Sequence, residues 1–510
     1  MTRRILLVTT DQQRYDALAC NGGRIARTPA VDGLAAAGIR FERAHPQSVV
    51  CMPSRSTILT GQYPRTHGVW MNGVPLDPDA PSVAAVLHAA GYRTALVGKA
   101  HFEPFLDPFG RFRENTTDPD PRPELRGFEH FETATHTPLG PLHYARWMQA
   151  EHPDELGGFY RVLDGRLEVN GEGGGDTGAP QVAHNPVPRE HYHTDWVADR
   201  TIAWLDTLDD DDVWFVWMSF PDPHHPWDPP AAELGRVPWR DLDLPPGYPL
   251  DRAEREAAID ARPRHWRLWY DGEWVANYEA PPDWVPATLT PDQVREIDAA
   301  THVENELIDE ACGRVLSHIE RRGWADTTDV IFTTDHGEFQ GDHGFLFKGP
   351  YHVDALLRVP LVWRPAPAVG LPPAVVTRPV GHLDIAPTLC AIAGVEPPPF
   401  MQGRPLPVDD ADAEERGFER VLTEWDSEHW AGDVHARTIH RDGFTCTVYE
   451  PGTVHDGTEG ELYDHAVDPL QRVNLWDDPA RRSLRDDLVA DLRASLPPAG
   501  APRRRPAAPV

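Results

Sequence analysis

The sequence predicts an α/β protein with a large, mostly parallel central sheet between two layers of helices. Four apolar runs are typical of buried strands: residues 5–8, 94–97, 213–218 and 330–333. Strands of a parallel sheet are covered on both faces, so they carry continuous apolar runs rather than alternating ones. Helical patterns lie between these runs, and this alternation favours helices on both faces of one sheet.

Four helices are predicted in the same part of the chain: residues 28–37, 82–90, 194–205 and 297–321. The first two are each followed by a glycine, the residue that most often follows a helix end. The third begins at a threonine, which is a good N-cap. The fourth alternates apolar and charged residues at helical spacing.

Composition divides the chain into a large unit, residues 1–400, and a smaller one. The large unit is interrupted by Pro-rich segments near 104–190 and 221–290, which we interpret as insertions that form lids, pocket walls or disordered loops. The tryptophans of the second insertion favour an ordered wall, with packing under a long loop as the alternative. Strand-like pieces and one helical pattern predict a small α+β subdomain over 401–500. The tail, 501–510, is rich in Pro, Ala and Arg and is expected to be disordered.

Charge and cysteine content restrict the partners and the compartment. The net charge is −32, from 80 acidic and 48 basic residues. Such a surface argues against nucleic acids and anionic membranes, so an anionic substrate would need a local positive field. Five irregularly spaced cysteines fit a reducing compartment better than a disulfide framework. No stretch approaches the roughly 20 apolar residues of a membrane span, and no signal peptide is evident, so we expect a cytoplasmic protein.

Two pairs of ligand-type residues follow predicted strands. Asp11 and Gln12 come after the first strand, and Asp335 and His336 come after the strand at 330–333. Sites in open α/β sheets form at the carboxyl ends of strands, so both pairs can converge on one cation. Their oxygens suit Ca²⁺, Mg²⁺ or Mn²⁺, and the single nitrogen tilts slightly toward Mn²⁺. For either pair alone, a helix cap is the alternative.

A candidate nucleophile lies before a helical run. Cys51 precedes the predicted helix at residues 54–59, with Pro53 near its first position, where proline is tolerated. A nucleophile there would experience the positive end of the helix and its free N–H groups. Arg55 could pair with the metal-site carboxylates. For Cys51 alone, a small buried apolar side chain is the alternative.

Four more residues offer positive charge or a proton. Lys99 and His101 follow the strand at 94–97, and side chains two apart at a strand end are expected to point the same way, toward one anion. His224 follows the strand that ends at residue 218 and could protonate a leaving oxygen. Lys348 offers another cation. For each of them alone, an ordinary surface residue is the commoner alternative.

In their order along the chain, these motifs resemble those of the type I, formylglycine-dependent sulfatases of the alkaline phosphatase superfamily. The resemblance rests on Lys348 and on five segments: TDQQR at 10–14, CMPSR at 51–55, VGKAHF at 97–102, PHHP at 223–226 and FTTDHGE at 332–338. It covers roughly residues 4–480 apart from the two insertions.

The resemblance implies an alkaline-phosphatase-like fold and hydrolysis of a sulfate monoester to an alcohol and inorganic sulfate. It implies that a formylglycine-generating enzyme converts Cys51 to formylglycine, which attacks sulfur and is held by Arg55. Lys99, His101 and Lys348 would bind the sulfate, with His101 also helping to break down the covalent intermediate. His224 would protonate the leaving alcohol. One divalent ion, Ca²⁺ or Mn²⁺, would be held by Asp11, Gln12, Cys51, Asp335 and His336.

Some alternatives stay open at this point. The metal residues are similar to those of the choline-sulfatase and phosphonate monoester hydrolase branches. Phosphonate monoester hydrolases tend to carry Tyr and Thr where this chain has Lys99 and His101, which favours a sulfate monoester. The leading prediction is a small or sugar-borne sulfate ester. A phosphonate monoester or phosphodiester hydrolase with the same nucleophile is the first alternative. A non-catalytic metal-binding protein on this scaffold is the second. A homo-oligomer is compatible with the sequence.

Overall fold

An eight-stranded sheet forms the centre of the large domain. The computed structural model describes residues 3–107, 109–116, 125–161, 173–249, 251–273, 280–281, 284–429, 432–500 and 504–508. The strands of the sheet, in chain order, are β1 (Arg4–Thr10), β2 (Ile39–Phe41), β3 (Arg93–Gly98), β4 (His130–Thr133), β5 (Trp214–Ser219), β6 (Thr328–Thr334), β7 (Leu361–Arg364) and β8 (Ala374–Val376). Their order across the sheet is β8-β2-β7-β6-β1-β5-β3-β4, and only β7 runs antiparallel to its neighbours.

The predicted α/β class is confirmed, and the four predicted strands are the centre of this sheet. They are β6, β1, β5 and β3, and each is parallel to the next. The outer strands β2, β4, β7 and β8 were not predicted, because runs of three or four residues give too short an apolar signal. Strand β4 lies inside the segment 104–190, which was predicted to be an insertion. That segment therefore contributes one edge of the main sheet.

Helices cover both faces of the sheet. The described helices are α1 (Pro29–Ala36), α2 (Cys51–Thr60), α3 (Pro64–His67), α4 (Val83–Ala89), α5 (Arg113–Thr116), α6 (His143–Glu151), α7 (His193–Leu205), α8 (Arg252–Asp260), α9 (Arg264–Tyr270), α10 (Pro291–Arg321), α11 (Asp354–Leu357), α12 (Ile385–Ile392), α13 (Asp410–Glu415) and α14 (Arg482–Ser495). Alternate residues of β1 point to opposite layers. Ile5 and Leu7 pack with α2, α4 and α12, whereas Leu6 and Val8 pack with α1, α7 and α10.

All four predicted helices are present as α1, α4, α7 and α10. Helix α10 begins at Pro291 rather than at residue 297, because Thr290 and Gln293 cap its first turn reciprocally. The apolar residues of α10 from Val303 to Ile319 pack with α1 and α7, whereas Val294, Ile297 and Ala300 belong to a second cluster. The other face of the sheet carries α2, the helix that begins with Cys51.

A separate antiparallel sheet lies near the C-terminus. Its strands, in order, are β9 (Arg420–His429), β10 (Gly432–Arg441), β11 (Phe444–Tyr449) and β12 (Gly460–Asp464), and α14 contacts β10 and β11. Strand β10 was not predicted, because its charged residues interrupt the apolar signal. Leu406, Ala413 and Phe418 still pack into the core of the large domain, so the separate sheet starts after the predicted boundary near residue 400.

The tail predicted to be disordered lies outside the described residues except for 504–508. That piece contacts the loop after α3. Trp70 Nε1 donates a hydrogen bond to the carbonyl of Arg504, and the Ala507 amide donates to the carbonyl of Gly73. Within the described part of the chain, no helix has both the length and the apolar character needed to cross a membrane.

Candidate active site

The candidate site lies where four parallel strands end. Asp11 follows β1, Asp335 follows β6, Lys99 follows β3, and the segment with His224 follows β5. These strands are adjacent and parallel, so their carboxyl ends lie at the same edge of the sheet. The N-terminus of α2 supplies Cys51 to the same place.

Four buried side chains form a cluster that can hold a cation. One ligand atom from each of Asp11, Cys51, Asp335 and His336 lies within 4.8 Å of all the others. His336 Nδ1 is 2.9 Å from the Gly337 carbonyl, which fixes the proton on Nδ1 and leaves the Nε2 lone pair for a ligand. Nε2 lies 3.2 Å from Cys51 Sγ. Two carboxylates and one oriented imidazole nitrogen fit a divalent cation.

Gln12 connects this cluster to Lys348. Its backbone has a positive φ of 62°, and its amide N–H donates to Asp335 Oδ1 at 3.0 Å. Its side-chain oxygen accepts from Lys348 Nζ at 2.7 Å, and its side-chain nitrogen donates to Glu338. Gln12 therefore lies at the cluster, as predicted. Its side-chain oxygen, which was predicted to be a metal ligand, accepts a hydrogen bond from Lys348.

Arg55 ties the two carboxylates together. It is fully buried, with Nη2 3.0 Å from Asp11 Oδ2 and Nε 2.8 Å from Asp335 Oδ2. Nη1 donates to the Lys99 carbonyl and to Ser219 Oγ, both at 2.8 Å. Burial opposes the charge of Arg55, but the two aspartates outweigh it and raise the pKa of the guanidinium. The predicted pairing of Arg55 with the metal-site carboxylates is present.

Helix α2 starts earlier than predicted. It begins at Cys51 itself, with Val50 as N-cap, so the prediction that Cys51 precedes the helix is wrong. Pro53 occupies the third position, within the first turn, where no intrahelical N–H bond is lost. The Met52 amide donates to Asn72 Oδ1 at 3.0 Å. Asn72 therefore caps the turn that carries Cys51.

The environment favours a thiol at Cys51 and an ion at Asp11. Burial, together with the charge of Asp11, raises the pKa of the Cys51 thiol. Burial also opposes ionisation of Asp11, but Lys99, His224 and Arg55 outweigh it and hold the pKa of Asp11 well below its usual value. An unmodified cysteine here lacks the thiolate character of a reactive nucleophile.

Lys99, Lys348 and His224 lie close to one another beside the cluster. Lys99 Nζ lies 2.6 Å from Asp11 Oδ2, and Lys348 Nζ lies 2.9 Å from His224 Nε2. His224 Nδ1 is bonded to the carbonyl of His225, and its Nε2 lies 4.0 Å from Asp11 Oδ1. All three predicted residues are almost fully buried.

His101 departs from the predicted geometry. The strand ends at Gly98, and His101 has a positive φ of 55°, so the alternation of a strand does not relate its side chain to that of Lys99. Its ring lies edge-on to Phe105, with 5.1 Å between ring centroids. The expectation that Lys99 and His101 point the same way assumed that the strand continues through both residues, and it does not. The proposed role of His101 stays a prediction.

Sequence reasoning did not assign two residues at the site. Glu338 accepts from Gln12, and burial raises its pKa to about 7. His136 lies against Lys99 and His224. His136 follows the end of β4, just as Lys99 follows β3, so recognition of that edge strand would have pointed to it.

Comparison with known proteins adds the family. The family model described as Sulfatase matches residues 3–395. The chain belongs to the sulfatase family. It is accordingly a sulfuric ester hydrolase, as the resemblance implied.

Relatives of this sulfatase match most of its length. An uncharacterized sulfatase of Escherichia coli is 27% identical over 483 residues, covering 93% of this chain and 83% of the relative. A choline-sulfatase of Rhizobium meliloti is 25% identical over 490 residues, covering 93% of this chain and 82% of the relative. The crystal structure of a phosphonate monoester hydrolase of Agrobacterium radiobacter has a TM-score of 0.76 at 23% identity, covering 96% of this chain and 95% of that one. At this identity the structural match shows the fold.

Proposed function

We propose that this sulfatase hydrolyses a small or sugar-borne sulfate monoester with a formylglycine made from Cys51 and one divalent cation, Ca²⁺ or Mn²⁺. The observation that carries the proposal is the convergence of Asp11, Cys51, Asp335 and His336 within 4.8 Å, at the start of α2. The nucleophile and the metal ligands belong to one cluster in this arrangement. A cation held there would offset negative charge on the transferring group.

The hydrated aldehyde of formylglycine would supply two hydroxyls: one would attack sulfur as the alcohol leaves, and the other would then lose its proton and expel sulfate, which regenerates the aldehyde. Lys99 and Lys348 both place a positive charge near Cys51 and would bind the sulfate oxygens. Arg55 forms ion pairs with Asp11 and Asp335, so it holds these two carboxylates in place and does not bind the substrate. His224 Nε2 accepts from Lys348 Nζ, and it would carry the proton for the leaving alcohol once Lys348 turns to the sulfate oxygens.

Mass spectrometry across Cys51 tests the nucleophile directly. Formylglycine lowers the mass of the cysteine-containing peptide by about 18 Da, and hydration restores roughly that amount. We expect the modified peptide in protein from the native host, together with loss of sulfate-ester turnover in Cys51→Ala. Full turnover by Cys51→Ala would refute the proposal.

A second candidate function is hydrolysis of phosphonate monoesters or phosphodiesters with the same nucleophile. The sequence feature in its favour is the combination of Gln12 and His336 beside two aspartates, which is similar to that branch. Lys99, whose Nζ lies 2.6 Å from Asp11 Oδ2, favours a sulfate ester as the substrate. In phosphonate monoester hydrolases this position tends to carry Tyr. The ratio of rates with nitrophenyl sulfate and nitrophenyl phenylphosphonate decides between the two.

We also propose a cytoplasmic location and maturation by a formylglycine-generating enzyme. None of the five cysteines is paired in a disulfide, which supports a reducing compartment. Fractionation of the native host tests the location. A host that lacks the modifying enzyme should yield a protein with unmodified Cys51 and no sulfatase activity.

A further inference from the structure

His136 occupies the space between two residues of the proposed site. It is 7% exposed and follows edge strand β4, in a segment that sequence reasoning did not connect with chemistry. Its Nε2 lies 3.0 Å from Lys99 Nζ. Its ring is stacked on the ring of His224, with 4.1 Å between centroids and 15° between planes. One side chain therefore touches both the proposed anion binder and the proposed acid.

The contact with Lys99 fixes the protonation of His136. A lysine ammonium has three donors and no acceptor, so the imidazole nitrogen beside it must accept. Nε2 of His136 is then unprotonated, and the ring proton lies on Nδ1. Nδ1 is buried, and no hydrogen-bond partner for it is found within the described part of the chain. Burial, with the charge of Lys99, holds the pKa of His136 well below its usual value, in agreement with a neutral ring.

The stack continues on the far side of His224. His225 lies 3.9 Å from His224 between ring centroids, with 27° between planes, so three imidazoles lie face to face. The carbonyl of His225 also holds His224 Nδ1. The plane of His224 is thus fixed by a ring on each face, and the direction of its Nε2 is fixed with it.

We propose that His136 is a positioning residue that holds Lys99 through its ring nitrogen and His224 through its ring face. The inference rests on the proposed function, because it assigns separate uses to the two residues. Lys99 binds the sulfate group, so loss of the nitrogen should weaken substrate binding. His224 protonates the leaving oxygen, so loss of the ring face should slow substrates whose leaving groups need that proton.

Two substitutions separate these contacts. His136→Phe keeps a flat ring against His224 and removes the acceptor for Lys99. His136→Gln places an amide oxygen near the position of Nε2 and removes the ring. A structural defect would change both kinetic constants in both variants, whereas the proposed role predicts a different change in each.

For His136→Phe we expect KM for nitrophenyl sulfate to rise about tenfold with kcat within about twofold of the wild type. For His136→Gln we expect kcat for an alkyl sulfate to fall about tenfold. We expect little change for nitrophenyl sulfate, because its nitrophenolate leaving group departs without a proton. The matched control is His152→Phe. His152 also stacks on another histidine, His191, at 3.6 Å, but lies outside the site, so its kinetic constants should equal those of the wild type.

Calorimetric titration with inorganic sulfate provides a readout that needs no turnover. His136→Phe should bind sulfate about tenfold more weakly than the wild type, and His136→Gln about as well. Equal behaviour of both variants and the wild type, or equal losses in both variants with a lowered Tm, would overturn the inference. A wild-type protein without formylglycine or sulfate-ester turnover would overturn the proposed function instead, and the sulfate titration would still decide the role of His136.

Discussion

The carboxyl edge of the central sheet and the junction with the C-terminal sheet both bury ionisable side chains. These side chains are charged at the edge of the sheet and neutral at the junction. At the edge of the sheet, Asp11, Arg55 and Asp335 are fully buried as ions. At the junction, His45 stacks on His440 at 3.9 Å between centroids. Burial lowers the pKa of His45 to about 3, so this side chain is neutral.

The difference shows what a buried charge requires. Each aspartate at the site has an arginine nitrogen within 3.0 Å, so ionisation survives the loss of water. The junction histidines instead contact carbonyl and hydroxyl oxygens, such as the Leu357 carbonyl for His45 and Thr438 Oγ1 for His352. Such partners satisfy a neutral ring and do not hold a proton. The buried carboxylates of the site are thus held by a charged partner, whereas the buried neutral histidines of the junction are satisfied by uncharged oxygens.

The largest effect should come from removing one of the buried ions at the site. Asp335→Asn keeps the shape and loses a ligand charge, so we expect kcat/KM for nitrophenyl sulfate to fall roughly a thousandfold and the bound metal to be lost. Metal content is measured by inductively coupled plasma mass spectrometry.

Asp329→Asn is the matched control, because Asp329 lies at the other end of β6 and is buried against Arg3. Its metal content should equal that of the wild type. Equal metal loss in both variants would mean that Asp335 acts only through the fold.

Removal of the shared partner should destabilise the site. In Arg55→Met, Asp11 and Asp335 lose the guanidinium that they share, and we expect the free energy of unfolding to fall by about 3–5 kcal/mol in the metal-free protein. Urea denaturation with and without saturating Mn²⁺ measures this loss, and the Mn²⁺ ion should restore part of the stability.

The control is Arg126→Met, which removes another buried arginine, paired with Glu103. Its loss of stability should not respond to the cation. A response of similar size in both variants would show that the rescue by the metal ion is not specific to the site.

The junction should respond to pH. In the folded protein the pKa of His45 is about 3, so the ring stays neutral until the pH falls to about 3. In the unfolded chain the ring takes up its proton near the usual pKa of 6.5. The unfolded state therefore binds more protons as pH falls below 6.5, and stability is lost over that range. At about pH 5, this one histidine contributes about 2 kcal/mol of destabilisation.

His45→Phe should remove that share of the acid sensitivity, as measured by urea denaturation at about pH 7 and about pH 5. His184→Phe is the control, since this histidine is 46% exposed and lies outside the junction. The idea fails if the two variants lose the same stability on acidification.

The smallest effect should come from the N-terminal end of α10, whose cap belongs to neither region. Thr290 accepts from the Gln293 amide in the capping box of α10. We expect Thr290→Ala to lower the free energy of unfolding by about 1 kcal/mol without any change in kcat/KM. A change in kcat/KM would mean that α10 transmits strain to the site.

The sequence allowed prediction of the parts whose signal is local. Long apolar runs predicted β1, β3, β5 and β6, and the residues after them predicted much of the site, including Asp11 and Asp335. Short edge strands such as β4 gave no such signal, since they form by pairing with distant partners, and His136 was missed with them. The position of His101 depended on a single positive φ, which no pattern in the sequence indicated.

The burial of Cys51 has a consequence for the order of events during synthesis. Cys51 is fully buried, and its neighbour Ser54 donates to the carbonyl of Asp335, 281 residues later in the chain. At 5–20 residues per second, a ribosome needs roughly 15 to 60 s to cover that interval. During this time β6 does not yet exist and α2 cannot complete its packing. The modifying enzyme proposed above would therefore reach Cys51 before this packing forms, so we expect faster translation to leave a larger fraction of the protein unmodified.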